Sequence, residues 1–287
     1  MDATLALPDI MIEPLVRAAL LEDLGRAGDI TTDATIPATM TAEAAIVARE
    51  AGTIAGVGTA QCAFRLLSPE MRCAIEAPEG AKVSPGDVVM RLSGDARALL
   101  SAERTALNFL CRLSGIASAT AALVHAVEGH RAGITCTRKT TPGLRALEKA
   151  AVRAGGGVNH RFGLDDAVLI KDNHIALAGG IAAAVGRARQ RIGHLVKIEV
   201  EVDTLDQLEE AMRVAPDAVL LDNMTPEQLT RAVAIIDGRA TSEASGRITE
   251  HTARAIAATG VDLISVGWLT HSSRSLDLAL DVNNSRK

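Results

Sequence analysis

Cysteine, net positive charge and long uncharged apolar runs are all scarce in this chain, and each shortage removes a class of function. The four cysteines, Cys62, Cys73, Cys111 and Cys136, form no Cys-x-x-Cys pair and no metal-ligand spacing. They read as small buried apolar residues in a reducing compartment. Lys plus Arg total 30 against 35 Asp plus Glu, a formal charge of -5, which argues against a general nucleic-acid binder. The longest stretch free of Asp, Glu, Lys and Arg runs from Leu113 to Val127, short of the ~20 residues that a membrane span needs. Asp2 and Asp9 precede the first arginine, Arg17, so no basic region leads into an apolar signal. A soluble, cytoplasmic protein with no nucleic-acid and no membrane partner is expected. No Gly-x-Gly-x-x-Gly opens a helix after a strand, which disfavours a dinucleotide-binding fold.

Against this acidic background one span is crowded with cations. It reads T-R-K-T-T-P-G-L-R from Thr137, then L-E-K-A-A-V-R-A-G-G-G-V-N-H-R-F-G, then D-A-V-L-I-K-D-N-H up to His174. Leu144, Leu147, Ala151 and Ala154 recur at helical spacing, which predicts a helix after Pro142-Gly143 with Arg145, Lys149 and Arg153 on its outer face. Arg138, Lys139, His160, Arg161 and Lys171 stand instead at element ends. Two follow the apolar run 133–136, two follow the glycines 155–157 that stop the helix, and one ends the strand-like run 167–170. Side chains at such ends can converge on an anion.

At 287 residues the chain is long enough for one large or two modest domains. Helical spacing covers 8–25, a strand is expected over 42–50, and 79–90 reads as strand, Pro85-Gly86 turn, strand. That turn is similar to a piece of a biotinyl or lipoyl carrier, but no lysine sits at a hairpin tip, so it reads as scaffold. From Asp95 to about Glu128 the pattern is helical, with a break expected near Ser114-Gly115 where the chain passes between domains. Arg104, on this stretch, reads by itself as a solvated surface arginine. Beyond 130, apolar runs at 133–137, 167–171, 196–202, 217–222, 240–244 and 261–266 alternate with helical segments. Parallel units are implied, in an open sheet or a barrel.

In 197–203, Lys-Ile-Glu-Val-Glu-Val-Asp, alternation puts the charged set on one face and the apolar set on the other. In a β/α barrel the charged face enters the bore. Glu201 then lies near the C-terminal end of its strand, as Asp222 does after 218–221, with Arg138, Lys171, Ser245 and Gly267 at the corresponding places; active sites of barrels sit at that rim. Ser245-Gly246 and Ser265-Val266-Gly267 offer backbone N–H groups suited to a phosphate, although a Ser-Gly before a helix is more often an ordinary cap. The whole suits a substrate with several carboxylates beside a phosphorylated sugar. Arginine grips carboxylates in bidentate fashion, and Glu201 and Asp222 can hold ribose hydroxyls, coordinate Mg2+ or steady an oxocarbenium-like centre. The plainer alternative is that both carboxylates only pair with Lys171 and Lys197 inside the barrel.

The T-R-K-T-T-P-G-L-R, G-G-G-V-N-H-R-F-G and A-V-L-I-K-D-N-H segments, with E-V-E-V, L-L-D-N and S-V-G-W-L-T-H, resemble the quinolinate phosphoribosyltransferase family, the carboxylating nicotinate-nucleotide pyrophosphorylases. The resemblance runs over nearly the whole chain. It implies an α/β protein with an N-terminal α+β open sandwich domain (1–112, with 272–287 packing on it) and a C-terminal incomplete α/β barrel (113–271). It implies a pentosyltransferase of NAD biosynthesis that converts quinolinate and phosphoribosyl pyrophosphate to nicotinate mononucleotide, pyrophosphate and CO2. Mg2+ is the implied cofactor, held by Glu201 and Asp222 or carried by the substrate, and no organic cofactor is needed. Arg138, Lys139, Thr140, His160, Arg161 and Lys171 would hold quinolinate, with Lys139, Lys171, Glu201 and Asp222 catalytic. Ser245, Gly246 and Arg247 with Val266, Gly267 and Trp268 would receive the 5'-phosphate. A homodimer, or a higher oligomer built from it, is implied, in which Arg104 reaches the partner's site.

Three residues depart from the family pattern. Arg247 stands where Gly is usual, Trp268 where a small residue or Met is usual, and Asp165 where an aromatic is common. The runner-up enzyme is a related branch associated with molybdenum operons, which usually departs from the K-D-N-H pattern intact here. A non-catalytic sensor of pyridine carboxylates or sugar phosphates is the alternative from another class. Glu201 and Asp222 count against it, because capture of anions alone needs no carboxylates. The ordinary phosphoribosyltransferase signature of two adjacent acids after a strand is absent, since Asn223 follows Asp222.

Overall fold

The computed structural model describes residues 7–282. The chain opens with α1 (Asp9–Leu24) and α2 (Ile30–Thr35), the second capped by the Asp29 carboxylate, which accepts the Thr32 N–H at 2.9 Å. There follow β1 (Thr41–Ala48), β2 (Gly52–Thr53), α3 (Val57–Leu67), β3 (Arg72–Ile75), β4 (Lys82–Val83), β5 (Val88–Asp95) and the 31-residue α4 (Ala96–Ala126). Then come β6 (Gly133–Thr135), α5 (Arg145–Ala154), β7 (Val168–Ile170), α6 (Asp172–Ala178), α7 (Ile181–Arg189), β8 (Ile198–Val202) and α8 (Leu205–Arg213). The chain closes with β9 (Ala218–Asp222), α9 (Pro226–Ile236), β10 (Thr241–Ser245), α10 (Glu250–Ala257), β11 (Leu263–Ser265), α11 (Trp268–His271) and β12 (Leu278–Val282).

Two compact units result. Of the described residues, the first comprises 7–121, 140–156 and 269–282, and the second 122–139 and 157–268. In the first, an antiparallel sheet runs β12-β1-β5-β3. β1 is central, with Ile46 opposite Leu280 on one side and Met90 on the other, and Ala44 to Ala48 buried. The Pro85-Gly86 turn is present, closed by Asp87, whose carboxylate accepts the Ser84 N–H at 2.7 Å. Its two flanking strands do not pair with each other, however: β4 pairs with β2, while β5 pairs with β1 and β3.

The expected break at Ser114-Gly115 is a second difference, because α4 runs straight through it. Ser114 Oγ accepts the Ala55 N–H at 3.0 Å, and Ser118 Oγ, one turn on, accepts the Thr53 N–H at 2.8 Å. A Cβ on Gly115 would overlap the Arg274 carbonyl oxygen. The small residues form a notch into which two chain segments dock, and helix propensity yields to that packing. Gly115→Ala is therefore expected to destabilise the fold by about 1–3 kcal/mol, the cost of overpacking against a backbone that cannot rotate away. Equal urea midpoints for variant and parent would contradict it. α4 is long and apolar enough to cross a membrane by composition, but half of its most apolar window is buried in the fold. Leu99, Leu107, Leu110 and Leu113 are among its core residues.

Helix α5 corrects a third expectation. Arg153 is exposed and Arg145 half-buried, but Lys149 is only 1 % exposed and its neighbour Glu148 0 %. Glu148 collects donors, accepting from Arg112 Nη2 at 3.1 Å, from the Thr141 N–H at 3.0 Å and from Thr141 Oγ1 at 2.8 Å. The buried face is thus wider than the apolar spacing indicated, since polar residues with partners can share it.

The second unit is a parallel sheet in the order β6-β11-β10-β9-β8-β7. β6 pairs with β11 on one side, but β6 and β7 do not pair, and the other edge of β6 carries an isolated parallel bridge from Thr135 to Val158, so the barrel is incomplete, as the resemblance implied. The alternation in β8 is as read from sequence: Ile198, Val200 and Val202 are buried, and Glu199 and Glu201 stand on the opposite face. Lys197 is exposed just before the strand. Capping boxes at Thr204 with Gln207 and Thr225 with Gln228 start α8 and α9, so each returning helix begins within a few residues of its strand end.

Candidate active site

The strand ends of the second unit surround a cavity of about 410 Å3. Arg138 and Lys139 enter it from beyond β6, His160 and Arg161 from the loop after Gly157, and Lys171 from the end of β7. Glu201 on β8 and Asp222 on β9 face them, with Glu243 and Ser245 of β10 and Ser265 of β11. Residues separated by more than a hundred positions meet here because every parallel strand ends on the same side of the sheet.

The cations are held rather than loose. Lys171 Nζ lies 2.5 Å from Glu201 Oε2, and the Lys171 N–H donates to His174 Nδ1 at 3.0 Å. Arg161 Nη1 donates to the Ala167 carbonyl at 2.9 Å, which leaves Nε buried with no hydrogen-bond partner among the described residues. Burial lowers the Arg161 pKa, and the charge of Arg138 lowers it further, against Asp166 and Glu199. Two crowded guanidiniums and an unsatisfied donor are what an anionic ligand would relieve. The loop carrying Arg161 is shaped by Asp166, which accepts the Phe162 and Gly163 N–H groups at 2.5 and 3.0 Å. Asp165, the departure from the family pattern, is exposed and does not line the cavity.

Opposite the cations, Asp222 Oδ2 accepts from Asn223 Nδ2 at 2.6 Å. Asn223 adopts a left-handed φ of 53° and donates its N–H to the Ser245 carbonyl at 2.9 Å. A Cβ on Gly246 would overlap the Asn223 side chain, so the Asp-Asn pair and the Ser-Gly pair require each other. Gly246 and Arg247 both have positive φ, 110° and 49°. Arg247 thus occupies a backbone conformation that glycine adopts without cost, and its side chain is exposed. Trp268 Nε1 donates to the Ile248 carbonyl at 2.8 Å, tying the start of α11 to this loop. Val266 is buried behind the site, and a Cβ on Gly267 would come within 3.0 Å of Lys139 Cδ.

Not every expected residue lines the cavity. Thr140 belongs to the first unit, where its Oγ1 accepts from Arg145 Nε at 3.0 Å. Arg104 lies exposed on α4, also in that unit. Gly246, Arg247, Val266, Gly267 and Trp268 stand behind or beside the rim rather than on the cavity wall. Sequence reasoning named Thr137 only as the start of the basic span and Ser265 only for the backbone of its turn, and it passed over Glu243. Glu243 interrupts the apolar run 240–244 two residues before Ser245, the same alternation that exposed Glu199 and Glu201. It is 3 % exposed, and its Oε1 has no hydrogen-bond partner among the described residues. Burial, then the charge of Glu199, push its pKa up to about 7, against the pull of His160 and a hydrogen bond from Ser265.

Residues 116–281 match the quinolinate phosphoribosyl transferase C-terminal domain, and 29–114 match the N-terminal domain of the same family. A probable nicotinate-nucleotide pyrophosphorylase [carboxylating] of Bacillus subtilis is 44 % identical over 278 residues, covering 97 % of this chain and 96 % of its own length. The Mycobacterium leprae nicotinate-nucleotide pyrophosphorylase [carboxylating] is 46 % identical over 276 residues, covering 93 % and 95 %. Among solved structures, NadC from Streptococcus pyogenes superposes with a TM-score of 0.93 at 41 % identity over 96 % of this chain and 97 % of that one. Two domain matches in tandem, an open six-stranded barrel and a cation-lined cavity at its rim all agree, and the chain belongs to the quinolinate phosphoribosyltransferase family.

Proposed function

We propose that the chain joins quinolinate to phosphoribosyl pyrophosphate and releases pyrophosphate and CO2, leaving nicotinate mononucleotide. The observation that carries this is the single cavity in which Arg138, Lys139, Arg161 and Lys171 face Glu201 and Asp222. A pyridine bearing two carboxylates needs several cations once it leaves water, and fork-shaped guanidiniums suit planar carboxylates. The ribosyl centre develops positive charge as pyrophosphate leaves, and carboxylates on adjacent strands stabilise it electrostatically. The ring nitrogen becomes a pyridinium on ribosylation. It then accepts the electron pair released when the neighbouring carboxylate departs as CO2, so no organic cofactor is called for. The protein's part is to align the ring nitrogen with the sugar carbon and to keep water out.

Glu201 and Asp222 fit Mg2+. Two hard carboxylate donors on paired strands are the set that this ion takes when substrate phosphates and water complete its shell. When bound it would offset charge on the pyrophosphate. Ser245, Gly246 and the backbone at 247–248 and 266–268 would seat the 5'-phosphate before α10, with Trp268 clamping the loop. Ser245 on the cavity wall and the positive φ at Gly246 support that seat.

We place the reaction in the cytoplasm, on the strength of four free cysteines, and in a homodimer in which Arg104 of one subunit serves the other's cavity. Arg104 is exposed and is not among the residues that line the cavity of the second unit, as that arrangement requires. Mixing Arg104→Ala with Lys171→Ala protein is expected to restore up to about a quarter of parental activity, because a random mixed dimer rebuilds one intact site. Absence of recovery after demonstrated subunit exchange would exclude a shared site. The reaction itself is tested by incubating the protein with quinolinate, phosphoribosyl pyrophosphate and Mg2+ and following nicotinate mononucleotide. Nicotinate in parallel separates a decarboxylating from a non-decarboxylating transferase, and binding of both substrates with no product would leave the sensor reading.

A further inference from the structure

His160, which lines the cavity, meets two carboxylates, Glu199 and Glu243, that have no part in the reaction described above. His160 Nε2 lies 2.9 Å from Glu199 Oε2 and 3.8 Å from Glu243 Oε1. His160 and Glu199 are each 12 % exposed, and the ligand-type atoms of all three lie within 4.8 Å of one another. Two carboxylates this close in a buried place cannot both stay charged without a compensating cation. The compensator is a metal ion, a histidinium, the nearby Arg161 guanidinium or a proton on one carboxylate.

The other ring nitrogen decides among these. His160 Nδ1 accepts the Arg161 backbone N–H at 2.8 Å, so Nδ1 carries no proton. The single ring proton of the imidazole then sits on Nε2 and is donated to Glu199, whose carboxylate can only accept. That arrangement excludes the histidinium, which needs protons on both nitrogens. It also excludes a metal on His160, because neither nitrogen has a lone pair to offer. Arg161 bears on Glu199 and is not among the groups that act on Glu243, so the compensator left for Glu243 is its own proton; it is the more buried of the two acids and the one with the unsatisfied oxygen.

We propose that Glu243 is a positioning residue that stores a proton beneath the cavity: neutral itself, it lets Glu199 hold His160 as the Nε2–H tautomer, whose Nδ1 fixes the Arg161 backbone. The groups facing Glu243 are His160 from the loop, Glu199 from β8 and Ser265 from β11. Its elevated pKa agrees with the geometry. Loss of that proton adds a negative charge beneath the cavity and weakens a dianionic substrate. The folded protein keeps a proton that the unfolded chain surrenders near the ordinary carboxylate pKa, so this contribution to stability is complete at low pH and fades as pH rises through about 7.

The inference rests on assigning the cavity to quinolinate, and Glu243→Gln tests it because glutamine is a permanently neutral isostere. In the parent, KM for quinolinate is expected to rise about tenfold between about pH 6 and about pH 8.5 as one charge appears near the ligand, with kcat much less affected. In Glu243→Gln the KM profile should be flat and near the parent's low-pH value, and its melting temperature should overtake the parent's as pH rises. An unchanged parental slope in the variant overturns the proposal, and so does folded variant protein with poor KM at every pH. Stoichiometric metal in the purified parent, lost on Glu243→Gln, overturns it in favour of a metal site. If Arg161→Ala binds quinolinate normally, the cavity assignment has failed; if it does not, while Glu243→Gln keeps the parental slope, only the stored proton has failed.

Discussion

Arg161→Ala raises the dissociation constant for quinolinate by about 10²–10³-fold, the ~3–4 kcal/mol expected when one member of a desolvated ion pair is removed. Arg161 is the cation best placed for this loss. Its Nη1 is anchored on the Ala167 carbonyl, its Nε is buried with no partner among the described residues, and burial, then the charge of Arg138, lower its pKa. A group so constrained loses little entropy on binding, and the alanine variant leaves a carboxylate of the ligand buried against nothing. Lys139 is exposed, so Lys139→Ala should cost less, about tenfold, because water already screens it. Arg161→Lys should recover only part of the loss, since an ammonium lacks the planar fork. Calorimetric titration with quinolinate measures all three, with circular dichroism to verify folding. Parental affinity in both alanine variants would refute the pocket.

Glu201→Gln and Asp222→Asn are expected to divide the kinetic constants differently. Both should lower kcat by about 10²–10³-fold, the range for removing one preorganised group that meets charge developing in a transition state. Quinolinate affinity should change little in Asp222→Asn, because Asp222 is engaged with Asn223 Nδ2 at 2.6 Å. It should shift in Glu201→Gln, because Glu201 is the partner of Lys171 and its loss frees that ammonium. A variant with poor affinity and normal kcat would move the carboxylates from the sugar to the pyridine side. Pre-steady-state measurement distinguishes slow chemistry from slow release, so the fall in kcat can be assigned.

Much of the second unit was legible in the chain because parallel strands write themselves plainly. Each is a short apolar run followed by a helix, α8 and α9 begin at capping boxes of their own, and the Glu199/Glu201 alternation marked the face that points into the bore. Less of the first unit was legible. Ser114-Gly115 is a breaker by local rules and a docking notch in the fold, and a pair of strands flanking a turn looks like a hairpin whichever strands they finally pair with. Lys149 shows the same limit, since helical spacing counts apolar residues and cannot foresee that Glu148 will be buried with Arg112 and Thr141 as donors.

By itself, then, the order of residues determined which side chains would stand at the ends of parallel strands, since period-two alternation and the strand–helix rhythm are local properties of the chain. It determined the cations Arg138, Lys139, Arg161 and Lys171 and the carboxylates Glu201 and Asp222. Tertiary structure alone decided what those groups do to one another. Glu201 is bound to Lys171, Asn223 props the Ser245-Gly246 turn, and Trp268 clamps Ile248. Glu243 became a buried acid facing His160 and Glu199. Protonation, tautomer and desolvation depend on distances between residues remote in sequence, and those distances exist only once the sheet has curled and brought the strand ends together.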